Sequence, residues 1–79
     1  MIIEESLIYS VLHDFLTILD SGKPFFGYTI LFGLLNLTEY QMDKLRSISE
    51  NHLVGSSLEK STDALLEEWI SIINQDLDL

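Results

Sequence analysis

The sequence predicts an all-α protein, a compact up-and-down bundle of about four short helices that forms one domain over residues 1–79. Apolar residues recur at helical spacing along most of the chain. Capping and turn residues separate these segments at short intervals. Only one segment has β-strand character, and it has no second strand to pair with. Four helices joined by short loops therefore account for the chain.

The first helix is predicted over residues 3–20. Gly22 and Pro24 follow it, a pair typical of a helix end because Gly adopts the left-handed cap conformation and Pro starts the next element. Its apolar residues lie on one broad stripe: Leu7, Ile8, Val11, Leu12, Phe15, Leu16 and Leu19.

The second helix is predicted over residues 25–36, which contain no charged residue and are apolar on almost every side. The residues around Thr29 favour a strand, and Gly27 and Gly33 each weaken a helix by about 1 kcal/mol. Because no other segment offers a strand partner, we predict a central helix that other elements surround.

The aromatic residues are expected to serve the core. Trp69 lies in the middle of an apolar stripe, which predicts burial. Phe25, Phe26 and Tyr28 begin the second helix and form either a lid on the bundle or an exposed anchor for a partner. The lid is favoured because Phe is usually buried.

The third helix has the clearest start. Thr38 and Gln41 have the spacing of a capping box, Leu37 and Met42 have that of a hydrophobic staple, and Gly55 closes the helix. One face is shared by Met42, Leu45, Ile48, Ser49 and His52.

The fourth helix is predicted over residues 57–76. Ser56 and Glu59 have capping-box spacing. A helical stripe follows, made of Leu58, Leu65, Leu66, Trp69, Ile70, Ile73 and Leu77.

The net charge of −9 arises at the two ends of the chain. Residues 1–22 hold four acidic residues and residues 61–79 hold five, and neither segment has a Lys or Arg. In residues 23–60 four basic residues cancel four acidic ones. If the first and last helices pack side by side, their carboxylates form one negative surface. Such a surface repels nucleic acids and membranes and attracts basic proteins.

The last helix also has a polar ridge opposite its apolar stripe, formed by Asp63, Glu67, Ser71, Asn74 and Asp78. Solubility alone is the alternative explanation for these acids. The segregation of charge favours a binding surface, because unrelieved like charges lower stability. The predicted partner-binding residues are Glu5, Asp14, Asp20, Tyr28, Asp63, Glu67, Glu68 and Asp78.

The sequence predicts neither an enzyme nor a cofactor or metal protein. His13 and His52 lie on different predicted helices, and the chain has no cysteine. With no signal peptide or membrane-spanning run, we expect a cytoplasmic protein that binds neither membrane nor nucleic acid.

From about Leu7 to Val54 the chain resembles the Maf-type immunity family, small bacterial immunity proteins of polymorphic toxin systems. The similarity is one of layout, and no functional residue is transferred from it. It rests on Leu12, Phe15 and Leu16, on Ser21-Gly22, on Gly27-Tyr28, on Leu34-Leu35, and on the capped helix from Glu39 to Ile48. The resemblance implies a cytoplasmic protein that neutralises a toxin, often a nuclease, by binding and occluding it.

The favoured hypothesis is therefore an acidic immunity protein that inhibits a toxin nuclease domain by occluding its basic substrate cleft. A phage inhibitor of a host defence enzyme fits the same mechanism. The remaining alternative is a helical adaptor or an obligate homo-oligomer subunit, such as a homodimer, that packs through its uncharged middle helix and has no inhibitory role.

Overall fold

The computed structural model describes residues 4–23 and 26–75, with the side chains of the second helix described from Thr29 onward. This part of the chain folds into an all-α bundle without a β-strand, so the predicted fold class is confirmed. No helix in it combines the length and apolar character needed to cross a bilayer. The helices are α1 (Glu5–Ser21), α2 (Phe26–Gly33), α3 (Glu39–Leu53) and α4 (Leu58–Asn74).

Helix α1 ends as predicted. Gly22 adopts the left-handed conformation at φ 72°. The N–H groups of Gly22 and Lys23 donate to the carbonyls of Leu19 and Ile18, at 3.2 and 3.3 Å. These bonds satisfy carbonyls that the helix end leaves open. Pro24, the other half of the predicted stop, lies outside the described residues.

Helix α2 is confirmed as a helix but is shorter than predicted, because it ends at Gly33 rather than near residue 36. The prediction that other elements surround it is wrong, because it packs mainly against α1 and leaves Ile30 exposed. The chain then tightens into a turn in which the N–H groups of residues 34–36 donate to the carbonyls three residues earlier, at 3.0 to 3.2 Å. Asn36 sits at φ 52°, a left-handed conformation that Asn tolerates better than most residues.

The capping box at the start of α3 is confirmed. The Gln41 N–H donates to the Thr38 hydroxyl at 3.2 Å, and the Thr38 N–H donates to Gln41 Oε1 at 2.9 Å. At α4 the N-cap is Ser57, whose hydroxyl accepts from the Lys60 N–H, so the capping box proposed from Ser56 and Glu59 is wrong by one residue.

The core forms where all four helices meet. Helix α1 packs most extensively against α4, α3 packs against α4 and α1, and α2 packs against α1. The apolar stripes predicted for the first and last helices supply most of the buried residues. The fully or nearly fully buried apolar side chains are Ile8, Val11, Leu12, Phe15, Leu16, Phe32, Leu35, Leu45, Leu65, Trp69, Ile72 and Ile73.

An aromatic cluster occupies the middle of this core. The rings of Phe15 on α1, Phe32 on α2 and Trp69 on α4 have centroids 4.8 to 5.9 Å apart and are mutually tilted. Such pairs contribute about 0.5–1.5 kcal/mol beyond their buried area. Helix α3 completes the junction, because Trp69 Nε1–H donates to the hydroxyl of the fully buried Ser49 at 3.1 Å.

A second buried polar side chain, that of Gln41, joins the first turn of α3 to the last turn of α4. Gln41 Nε2 donates to the carbonyls of Ile72 and Ile73, at 3.0 and 3.3 Å. At the other end of the pair, the Ser61 hydroxyl donates to the His52 carbonyl at 3.1 Å. These contacts fix α3 and α4 as an antiparallel pair.

Replacing Ser49 by Ala removes the acceptor for the buried Trp69 indole N–H. An unsatisfied buried donor costs about 1–3 kcal/mol, so we expect the free energy of unfolding to fall by that amount. The measurement is urea denaturation followed by Trp fluorescence. Ser47→Ala, at an exposed position of the same helix, has the same propensity change and is expected to stay within about 0.5 kcal/mol of wild type. Equal losses in both variants would contradict a stabilising role for the Ser49 hydroxyl.

Candidate protein-binding surface

The packing of α1 against α4 brings the described parts of the two acidic segments, residues 5–21 and 61–74, onto neighbouring helices. This adjacency is the condition on which the predicted negative surface rested. The Tyr28 side chain, Asp78, and the lid or anchor predicted for Phe25 and Phe26 lie outside the described residues or side chains. The other predicted site residues are all exposed: Glu5, Asp14, Asp20, Asp63, Glu67 and Glu68.

A shallow depression crosses the exposed side of α1 and reaches α4. One part, of about 540 Å³, is open to solvent and includes Leu66 of α4 in its wall. The adjoining part, of about 330 Å³, shares Tyr9 and Ser10 with it and continues along α1. We call this depression the α1 groove, and its lining residues are Glu5, Ser6, Tyr9, Ser10, His13, Asp14 and Leu66.

The chemistry of the α1 groove suits a cationic side chain. Glu5 and Asp14 line its two parts and supply negative charge, and Ser6 and Ser10 supply hydroxyl acceptors. Tyr9 adds a half-exposed aromatic ring, to which an ammonium or guanidinium group is attracted. The groove thus combines a carboxylate, a ring face and an aliphatic wall, the groups that bind an Arg or Lys side chain.

Helix α4 extends the negative charge beyond the groove. Asp63, Glu67 and Ser71 are all exposed and follow one another at intervals of one helical turn. Leu66, which lines the groove, lies between Asp63 and Glu67 in the sequence. The predicted ridge therefore holds over these three residues, while Asn74 is half-buried. Lys60, exposed in the first turn of α4, moderates the field at that end of the ridge.

Two other predicted carboxylates point to different parts of the surface. Glu68 faces α3, where its Oε2 lies 3.8 Å from His52 Nε2. Asp20 lies in the last turn of α1, about 120° around the helix from Asp14. A negative charge in a last turn opposes the helix dipole, and that turn has no basic residue. The acidic surface is therefore broad, and only part of it adjoins the α1 groove.

Tyr9 is the residue that sequence analysis missed. It lies at the border of the α1 apolar stripe, and its ring stacks on His13 one turn later, with centroids 6.4 Å apart. An aromatic residue just outside a helix stripe and four residues before a His was the available signal. The role of Tyr9 depends on α4, whose Leu66 borders that side of α1.

The α1 groove includes residue types that also occur in catalytic sites. Ser10, His13 and Asp14 line one depression, but in the described chain no hydrogen bond joins the Ser10 hydroxyl to the His13 ring. An activated serine needs that contact with its base. In the same residues no three acidic or His side chains converge to hold a metal ion.

Comparison of the chain with protein-family models, curated proteins and solved structures finds no match.

Removing one charge from the ridge is expected to stabilise the fold. Asp63 and Glu67 are like charges at i, i+4, an arrangement that costs about 0.2–0.5 kcal/mol. We expect Glu67→Gln to raise Tm by about 1–4 °C at low ionic strength, and to lose that gain at about 0.5 M salt. Circular dichroism melts would measure both values.

The control for this variant is Asp43→Asn on α3. The Asp43 carboxylate lies 3.8 Å from the Arg46 guanidinium, so its removal is expected to leave Tm unchanged or slightly lower. A gain of the same size in both variants would indicate a general effect of net charge and not repulsion along the ridge.

Proposed function

We propose that this protein is a non-catalytic inhibitor that binds a basic protein through the α1 groove and the neighbouring α4 ridge. The observation that carries the proposal is the packing of α1 against α4, which sets Glu5 near the helix that bears Asp63 and Glu67. Its most concrete form is an immunity protein that occludes the substrate cleft of a toxin nuclease. What suggests that form is the resemblance in layout between residues 7–54 and the Maf-type immunity family.

The mechanism has two parts. Carboxylates on α1 and α4 take the positions that nucleic-acid phosphates occupy in a nuclease cleft, and their field accelerates encounter with a basic partner. Tyr9 and Leu66 then supply apolar contact inside the groove, which slows dissociation. Charge thus sets the rate of association, and the groove sets the lifetime of the complex.

A nuclease inhibitor would act in the cytoplasm, where the nuclease meets its substrate. A phage inhibitor of a host defence enzyme would use the same carboxylates and groove, so the two differ in the identity of the partner and not in the surface.

A capture experiment tests where the partner binds. We expect the wild-type chain to retain a basic protein from its native lysate, and the triple variant Glu5→Gln, Asp63→Asn, Glu67→Gln to lose most of it, as identified by mass spectrometry. Removal of three charges from the contact surface is expected to weaken binding at least about tenfold.

The matched control removes the same number and kinds of charge from α3, with Glu39→Gln, Asp43→Asn and Glu50→Gln. Each triple variant changes one first-turn Glu, one Asp and one later Glu, and both end at the same net charge. Equal loss of the partner in both would show that net charge, and not this surface, governs binding.

Binding kinetics with the captured partner separate steering from anchoring. We expect the association rate to fall steeply with added salt, while Tyr9→Ala raises the dissociation rate about tenfold or more and changes association little. Tyr40→Ala, at an exposed Tyr on α3, is the control and should change neither rate. An association rate that does not respond to salt would contradict electrostatic steering, as measured by surface plasmon resonance.

A further inference from the structure

Helix α2 presents an apolar face that no described part of the chain covers. Ile30 is 76% exposed and Leu34, just beyond the helix end, is 63% exposed, so two large apolar side chains four residues apart face solvent. Gly33 between them is also exposed, and a Cβ there would meet nothing within 4 Å. We call Ile30, Gly33 and Leu34 the α2 face.

The α2 face differs from the rest of the surface in its charge. Residues 24–38 contain no ionisable side chain except Tyr28, whereas the chain as a whole has a net charge of −9. The acidic groups of the described helices lie on α1, α3 and α4. Helix α2 itself offers a basic partner no carboxylate. Glu39 and Asp43 of α3 share a depression with Thr29, but Arg46 accompanies them there and lies 3.8 Å from Asp43. Two copies of the chain, by contrast, repel each other through their acidic surfaces and meet with least repulsion through this one.

We propose that the α2 face is the contact surface of a homodimer, in which α2 of one copy packs against α2 of the other about a two-fold axis. A self-complementary contact of this kind places the same apolar residues on both sides, as a C2 interface requires. Gly33 lets the two backbones approach, because it adds no side chain between them. This inference is independent of the proposed function.

The size of the face sets the strength of the dimer. Eight helical residues rise only about 12 Å, so the contact falls well short of the roughly 800 Å² per partner of a stable interface. The dimer is therefore weak and reversible. The α1 groove is lined by α1 and α4 residues only, so dimerisation through α2 does not use the surface proposed to bind a basic partner.

Added salt distinguishes dimerisation through α2 from binding of a basic partner, because it strengthens the first and weakens the second. The Debye length is about 30 Å at 0.01 M salt, comparable to the 36 × 24 × 19 Å extents of the molecule, and about 8 Å at 0.15 M. Repulsion between two copies is largely screened at the higher value. The dimer should thus strengthen with salt over the range in which binding of a basic partner weakens.

The test is sedimentation equilibrium of the full chain between about 10 µM and 1 mM at these two salt concentrations. We expect a monomer–dimer equilibrium whose association constant rises at least about tenfold from the lower to the higher salt. Ile30→Gln with Leu34→Gln should abolish it. The control, Tyr40→Gln with Val54→Gln, replaces two other exposed apolar residues and should leave it unchanged. A monomer under all conditions, a dimer that salt weakens, or equal effects of both double variants would overturn the proposal.

Cysteine cross-linking gives a second measurement that does not depend on the stability of the double variant. The chain has no cysteine, so a single introduced thiol reports only on contacts between copies. We expect mild oxidation to give a disulfide-linked dimer with Ile30→Cys or Leu34→Cys and little with Val54→Cys. Cross-linking that is equal at all three positions, or absent at both α2 positions, would contradict contact through the α2 face.

Discussion

The fold depends on the burial of one side chain, that of Trp69. It is the only Trp in the chain and is fully buried on α4. Its ring contacts Phe15 from α1 and Phe32 from α2, and its indole N–H is satisfied by Ser49 from α3. No two helices could shift relative to each other without disturbing this junction, because a close-packed interior transmits small displacements. A chain of this size buries a modest fraction of its surface, so a single well-packed centre matters greatly.

The same junction around Trp69 determines where the acidic surface lies. Once Trp69 and Phe15 meet, α4 must lie along α1, and the two segments that lack Lys and Arg become neighbours. The core therefore brings like charges together, which is unfavourable by itself. Asp20 in the last turn of α1 adds a further unfavourable term, because it faces the negative end of the helix dipole. A positive charge bound between α1 and α4 would relieve the first of these terms, whereas Asp20 points to another part of the surface.

Much of the fold could be predicted from local patterns. The apolar stripes of α1 and α4, the Gly22 helix stop and the Thr38 capping box each depend on residues within one or two helical turns, and the structure confirms them. The exceptions within the stripes are Leu7, which is exposed, and Leu77, which lies outside the described residues. The end of α2 at Gly33 was not predicted, because the turn that follows it, with Asn36 in the left-handed conformation, lies in a run without charge or Pro. The position of the N-cap of α4 was ambiguous between two adjacent serines.

The candidate site was less accessible to sequence analysis than the fold. Its carboxylates could be named because they stand out in composition, but their grouping depends on which helices touch. The structure separates Glu68, which faces His52, from Asp63 and Glu67, although all three belong to the same acidic segment. Tyr9 and Leu66 acquire a common role only across the α1–α4 contact, which no local pattern encodes.

Gln41 has a consequence for how the bundle opens. Carbonyls in the last turn of a helix usually bond to water, which lets that turn fray, but those of Ile72 and Ile73 accept from the Gln41 amide. The same amide group closes the first turn of α3 through Thr38, so neither turn can unwind while the other stays intact. In hydrogen–deuterium exchange these two turns would belong to one cooperative unit. The start of α1, whose Glu4 cap makes no side-chain hydrogen bond, would exchange independently and sooner.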